Sequence, residues 1–522
     1  MVVYNVRIYG DIASNQAMKT LIDTTSKIDR RLFLKGAASL AAAGGFVPRL
    51  AAEPYSPYLN SSKGASPRLV VGIISDTHVG VPAHTAVLER TFRFFRDRKV
   101  DAVMNCGDIA DFGLLSGLKY YAETFEKVFP GGKGAEGRPV QKLFCTGNHD
   151  YEGWWYGDMT AEMHALGYDE DEALVKLGMK KCWEEVFQEE FAPIRKRTVN
   201  GYDFIGAEWH GYDETPGYDL TEDWFAAHGG ELDTEKPFFF YLHQPPANTT
   251  ASSWESALAL KVTKALSAHQ NAVAFSGHSH WTLNDERSIW QGEYTAIAVP
   301  SLSCTGIMDG YENGADVRNG KSTRAMPALP VRFKMEEPQG LVMSVYDNRM
   351  EFERWDFKKM VCTARTWSVP LPLVRESRPY SFEARSAAEP VPQFPEGAKL
   401  NLKTRNTETR GGKWAIVMVA NFPNANAVEA ARAFDYEIRA VPADGSEPMV
   451  KRFLSPAFHK LKEDEPEKLT FWFNVLDLPQ DKEYRIEIYP RNCFGVCGRP
   501  LVSAPRRGKP GGARAKGYPK GK

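Results

Sequence analysis

The 522-residue sequence predicts an α/β domain followed by a small all-β sandwich, on three observations. First, continuous apolar runs that suit buried strands alternate with helical patterns from Arg68 onward. Second, residues Leu400–Ser503 carry alternating strand runs with no helical period. Third, the stretch between them, Lys358–Pro395, is rich in proline and poor in apolar repeats, as expected of a domain boundary.

The chain opens on an address. Asp29-Arg30-Arg31-Leu32-Phe33-Leu34-Lys35 precedes the mildly apolar run Gly36–Val47, which is too short to span a bilayer as a helix. Paired arginines before such a run resemble a twin-arginine export signal. The resemblance implies passage through the twin-arginine translocation machinery, a periplasmic or extracellular location, and no transmembrane anchor in the mature protein. Residues 1–52 are assigned to this signal and 53–67 to a linker rich in Pro, Ser and Tyr.

The first strand is expected at Arg68–Ser75, the second at Asp101–Cys106 and the third at Gln141–Cys145. Helical patterns lie between them at Thr85–Arg98 and Gly113–Val128. Two further strands, Pro237–His243 and Asn271–Ser276, flank a helix near Ser252–Ala268. A hairpin follows, Leu341–Tyr346 and Met350–Trp355, turning at Asp347-Asn348. The resulting domain spans 68–360, with a linker at 361–395. In the C-terminal unit, 396–505, strands are expected at Trp414–Ala420, Ala433–Ala440, Leu469–Asn474 and Tyr484–Tyr489, a pattern similar to an immunoglobulin or fibronectin type III module. The tail 506–522 is basic, glycine-rich and expected to be disordered.

Composition removes several alternatives. Sixty-five basic against 66 acidic residues give a net charge of −1, which indicates no nucleic-acid partner and no membrane surface. Seven cysteines exclude a disulfide scaffold. Cys106 and Cys145 end buried strands and read as small apolar groups, whereas Cys493 and Cys497 are open to either a small disulfide or free thiols.

The chemistry is concentrated where the strands end. The first strand runs into Asp76-Thr77-His78, the second into Gly107-Asp108-Ile109-Ala110-Asp111, and the third into Gly147-Asn148-His149-Asp150. The fourth ends in His243-Gln244-Pro245 and the fifth in Gly277-His278-Ser279-His280. In an open α/β sheet the carboxyl ends of strands converge on one crevice, so polar motifs at five successive ends point to one metal site. These five motifs, in this order, resemble the calcineurin-like metallophosphoesterase family over about Leu69–Phe357.

That resemblance implies a four-layer α/β/β/α sandwich. It implies that Asp76, His78 and His280 hold one metal ion, that Asn148, His243 and His278 hold a second, and that Asp108 bridges both. It makes His149 the general acid and Asp111 the residue that orients it; a helix N-cap is the other reading of Asp111. Mixed imidazole and carboxylate donors suit Mn, Fe or Zn better than Mg or Ca. A bridging carboxylate spaces two ions by about 3.5–4 Å, and the bridging hydroxide between them is the expected nucleophile. With two carboxylates and that hydroxide, the residual charge is about +1, which favours a phosphate.

The expected activity is therefore that of an exported metal-dependent phosphohydrolase acting on organic, small-molecule phosphate esters. Phosphodiesterase and nucleotidase readings share every motif. A non-catalytic exported binding protein that attaches through its C-terminal domain is the alternative from another class. His84, Trp154, Trp155, Tyr156, Trp209 and His210 offer either substrate contacts or ordinary packing.

Overall fold

The computed structural model describes residues 66–507 except 81, 156–168, 210–216, 252, 254, 255, 309–331, 336, 409–413, 459, 476, 477 and 480. The export signal, most of the first linker and the tail beyond 507 lie outside the described residues. No described helix is long and apolar enough to cross a membrane.

Strands β1 (Leu69–Ile74), β2 (Ala102–Cys106) and β3 (Gln141–Cys145) are parallel neighbours, with helices α1 (Pro82–Asp97) and α2 (Leu115–Val128) returning the chain between them. Their unbroken apolar runs follow from burial on both faces. Leu69, Val71, Ile73, Met104 and Leu143 look toward a second sheet, while Ile74, Val103 and Phe144 pack beneath helices. Cys106 and Cys145 join the inter-sheet core as small apolar groups. Helix α2 buries Leu118, Tyr121, Phe125 and Val128, a three-four-three spacing that keeps one stripe on the sheet. After the short helix α3 (Asn148–Glu152), α4 (Met179–Phe187) completes the helical layer on this side.

The second sheet contains β4 (Ile194–Val199), β5 (Tyr202–Ala207), β6 (Phe238–Leu242), β7 (Ala272–Ser276), β8 (Ile289–Gln291) and β9 (Thr295–Ala298), in the order β4-β5-β6-β7-β9-β8. Helices α5 (Thr221–His228) and α6 (Ala257–Ser267) cover its outer face through Phe225, Val262 and Leu266. Ser256 caps α6, its hydroxyl oxygen accepting from Ala259 N at 3.1 Å.

A two-stranded ribbon, β10 (Thr305–Met308) and β11 (Arg332–Met335), precedes the return to the first sheet. There β12 (Gln339–Val345) and β13 (Arg349–Asp356) form the expected hairpin, and β12 runs antiparallel to β1. Tyr346 N–H donates to Arg349 O at 2.8 Å, closing the turn at Asp347-Asn348. Helix, sheet, sheet and helix stack as four layers, the α/β/β/α arrangement.

One expectation is corrected here. Residues 361–370, read as linker, supply β14 (Val361–Cys362) and β15 (Trp367–Pro370), both paired with β13. Trp367 and Val369 are buried in the inter-sheet core. Pro370 ends β15 at the margin of the sheet, where its missing N–H removes no ladder bond.

Beyond α7 (Phe382–Ala388), the C-terminal unit consists of two antiparallel sheets. The strands are β16 (Asn401–Glu408), β17 (Trp414–Pro423), β18 (Asp435–Pro442), β19 (Met449–Leu454), β20 (Lys468–Asn474), β21 (Glu483–Arg491), β22 (Leu501–Val502) and β23 (Arg506–Arg507). One sheet is β16-β17-β20; the other is β19-β18-β21-β22, with β23 also on β21. Met418, Phe422, Tyr436, Ile438, Phe471 and Ile488 fill the space between them. Four strands lie where the sequence predicts, β16 and β19 were not expected, and Arg506 and Arg507 are paired rather than part of a loose tail. Cys493 and Cys497 are free thiols, the first buried and the second exposed. The sandwich rests on the loop after β7: Trp281 packs with Phe434, Phe458 and Cys493, and Asn284 Nδ2 donates to Phe458 O at 3.1 Å.

Candidate metal centre

Every one of the five polar motifs lies at the carboxyl end of its strand, and the loops converge. Donor atoms of Asp76, His78, Asp108 and His280 lie within 4.8 Å of one another, as do those of Asp108, His243 and His278. Asp108 belongs to both groups. Asn148 joins the second, its Oδ1 lying 3.0 Å from His243 Nε2. The first sheet thus contributes Asp76, His78, Asp108 and Asn148, and the second contributes His243, His278 and His280. The site sits on the seam between the sheets.

The donor geometry suits metal ions. His78 Nε2 faces His280 Nε2 at 3.1 Å, and His243 Nε2 faces His278 Nδ1 at 3.0 Å. Asp76 Oδ1 is 3.1 Å from His280 Nε2, and Asp108 Oδ2 is 3.1 Å from His243 Nε2. Ligands about 2.1 Å from a common ion at angles of 90–109° are roughly 3.0–3.4 Å apart, which matches these separations. The remaining ring nitrogens are anchored. Nδ1–H of His243 donates to Cys106 O at 2.8 Å, that of His280 to Cys304 O at 2.9 Å, and that of His78 to Asp111 Oδ1 at 2.8 Å. Such bonds fix the tautomer and leave Nε2 with a lone pair for an ion.

Backbone conformation marks the same residues. Asp76, His78, Asp108, His278 and His280 have φ of +48°, +44°, +51°, +68° and +52°, in the left-handed region that side chains other than glycine rarely enter. Five such positions side by side mean that contacts from the surroundings, against local preference, fix these side chains. Two glycines make room for them. Gly107 has φ +93°, and a Cβ there would lie 2.6 Å from His243 Nδ1; a Cβ at Gly147 would collide with Asp108 Oδ1.

Proton affinities split within each histidine pair. Burial lowers His278 to about 3, with His243 adding to the fall, whereas His243 is raised because Asp108 outweighs its burial. His78 is likewise lowered, chiefly by burial, while Asp76 lifts His280 well above its usual value against burial. The two rings of each pair thus differ in their preference for a proton. Burial would raise the carboxylates, but histidine neighbours prevail, holding Asp76 at about 2 and Asp108 well below the usual range.

His149 lies beside this cluster and is less enclosed. Its backbone N–H donates to Asp108 Oδ1 at 2.8 Å, and its ring packs edge-on against His78 with centroids 4.5 Å apart. Nδ1–H donates to the backbone oxygen of Asp111 at 2.8 Å, and Asp111 Oδ1 is 3.3 Å away. Burial opposes a charge on His149, but Asp108 and Asp111 raise it to about 9. The Asp111 carboxylate makes its shorter contact to His78.

Supporting residues emerge that the motifs alone did not identify. The buried Asp150 carboxylate accepts from Ala110 N and Gly147 N at 2.8 Å and from Ile109 N at 3.2 Å, tying the second and third motifs together. Tyr218 accepts from His243 N and Gln244 N at 2.7 and 2.9 Å. Among the aromatic candidates, Trp209 stacks on His278, with centroids 5.8 Å apart and planes at 26°. Trp154 instead packs with Phe112, Leu114 and Ala173 beneath Lys176. His84 falls in the first turn of α1. Tyr156 and His210 lie outside the described residues.

Residues 69–282 match the family model described as calcineurin-like phosphoesterase, and this part of the chain is a metallophosphoesterase domain. No curated protein matches. Among solved structures, the chain is similar to a dimetal phosphatase from Danio rerio, at 9% identity over 59% of this chain and 100% of that one, with a TM-score of 0.35. It is also similar to a purple acid phosphatase from yellow lupin (Lupinus luteus) seeds, at 13% identity over 58% of this chain and 53% of that one, TM-score 0.37.

Proposed function

We propose that the chain hydrolyses organic phosphate esters, phosphomonoesters ahead of diesters, with Asp76, His78 and His280 holding one transition-metal ion, Asn148, His243 and His278 a second, and Asp108 shared between them. The observation that carries this reading is the pair of donor clusters joined at Asp108, with ligand-to-ligand spacings near 3 Å. Bound Mn, Fe or Zn ions would supply positive charge to polarise a phosphoryl oxygen and acidify a water.

The chain's own residues do the rest. Asp108 and Asp76 are held ionised, so they are ready to ligate without first losing a proton. His149 serves as the general acid. Its Nδ1–H is committed to Asp111 O, so the proton for a departing alkoxide is the one on Nε2. Asp108 and Asp111 raise the proton affinity of His149 against its burial, which favours the protonated ring that an acid needs. Asp111 orients His78 and, through its backbone oxygen, His149. Trp209 closes one side of His278 and offers an apolar surface suited to the organic part of a substrate.

The proposal extends to location. Arg30 and Arg31 support export through the twin-arginine machinery as a folded protein, and the C-terminal sandwich is read as an immunoglobulin- or fibronectin-type module. Replacing both arginines by lysine should keep the charge and block export.

Activity is tested with p-nitrophenyl phosphate, bis-p-nitrophenyl phosphate, nucleotides and polyphosphate, each with Mn, Zn and Fe. Turnover of the organic esters is expected. Activity on polyphosphate alone removes the organic-ester reading, and hydrolysis of none of them favours a binding protein.

A further inference from the structure

We infer that Glu208 is a positioning residue for the second ion's ligands, holding the Asn148 loop of one sheet in register with His243 and His278 of the other. The inference rests on the ligand assignment proposed above.

Glu208 follows β5 and is 1% exposed. A carboxylate so deep is costly unless its oxygens are fully engaged. Both are. Oε2 accepts from Thr146 N and from Thr146 Oγ1, each at 2.7 Å, and Oε1 pairs with Arg195 Nη2. Arg195 Nη2 also donates to Phe144 O at 2.7 Å. Arg195 lies on β4 and Glu208 just beyond β5 of the second sheet, whereas Phe144 lies on β3 and Thr146 just beyond it in the first. No backbone ladder joins β3 to β5. The relative placement of these strand ends is therefore carried by side chains, with the buried Glu208–Arg195 ion pair among them.

What the strut positions is specific. Thr146 precedes Gly147 and Asn148 directly, and Asn148 Oδ1 must lie beside His243 Nε2, where it is found at 3.0 Å. The connection also returns. Trp209 N–H donates to Thr146 Oγ1 at 3.1 Å, and the Trp209 ring lies flat on His278 and edge-on to His243, both at 5.8 Å between centroids. Glu208 and its neighbour thus touch the surroundings of Asn148, His243 and His278. Anchors of the first ion's histidines run elsewhere, from His78 to Asp111 and from His280 to Cys304. Disturbing the strut should therefore unbalance the two ions.

The test is metal titration of the full chain with Mn and with Zn, following stoichiometry and both affinities, beside thermal unfolding of the metal-free protein. Glu208→Gln should weaken one ion roughly 10–100-fold and leave the other close to its original affinity, as loss of an outer hydrogen-bond partner does. Turnover should recover as metal concentration rises. Because Glu208→Gln strands Arg195 and can prevent folding, Thr146→Val provides a second arm that keeps the ion pair and removes only the hydroxyl. Thr146→Ser should restore the weaker ion. Equal weakening of both ions, or no weakening of either in folded Thr146→Val, overturns the inference. If the unaltered chain itself binds fewer than two ions, the ligand assignment fails instead.

Discussion

Asp111 Oδ1 lies 2.8 Å from Nδ1 of His78, whose Nε2 faces His280 in the donor cluster. The same oxygen is 3.3 Å from Nδ1 of His149, so one carboxylate serves both a ligand and the proposed acid. Asp111 and Asp108 favour the protonated form of His149, against burial. Asp111→Asn removes one of those anions, so the proton affinity of His149 must fall. The alkaline limb of the kcat–pH profile should move to lower pH, and the ion held by His78 should weaken roughly 10–100-fold. An unmoved limb would assign that titration to another group.

His149 and Asp108 should separate on substitution, because one holds a proton and the other joins two sets of donors. His149→Ala is expected to retain two ions per chain and to lower kcat by roughly 10²–10⁴-fold. Asp108→Ala should lose both ions. Metal analysis beside kinetics distinguishes them, and a metal-free His149→Ala would reassign that residue to ligation.

Metal binding should release protons. His243 and His280 favour their protonated forms in the metal-free chain, each next to a ring that does not. An ion entering either cluster competes with protonation of these rings, so affinity falls as pH falls. Calorimetry in buffers of different ionisation enthalpy should find net proton release on metal binding. A buffer-independent enthalpy would show that the rings are already neutral.

Much of this architecture was legible because burial on both faces leaves a simple record. Strands such as β1, β2, β6 and β7 are short apolar runs, and each ends abruptly in the polar residues that meet at the site. The β12–β13 hairpin was equally plain, since Asp347-Asn348 interrupts two apolar segments. Strand β15 was obscured by nearby prolines, although Trp367 and Val369 are core residues. The left-handed backbone at Asp76 or His280 has no sequence signature, because surrounding contacts rather than local preference hold it. Glu208 and Thr146 are 62 residues apart on different sheets, so their pairing is a property of the assembled seam.

A final prediction concerns the ionic knot that fastens residues 361–390 to the catalytic domain. Glu286 accepts from Arg354 Nη1 at 2.7 Å and from Trp367 Nε1 at 2.9 Å, and it pairs with Arg385 Nη2 at 2.5 Å. Burial alone would raise its pKa, but Arg354 and Arg385 prevail and bring it to about 2. A folded value below the unfolded one, about 4.3 for glutamate, places the stabilisation above that unfolded value and removes it as pH falls through about 2. Glu286→Gln leaves the fully buried Arg354 without its carboxylate and should cost about 3–5 kcal/mol near neutral pH. Urea unfolding of the two proteins should therefore diverge most between about pH 6 and 8, and the gap should close progressively below about pH 4. A gap that stays constant to about pH 2.5 would trace the loss to the shape of the side chain, because an amide and a protonated carboxyl present the arginines with nearly the same neutral group.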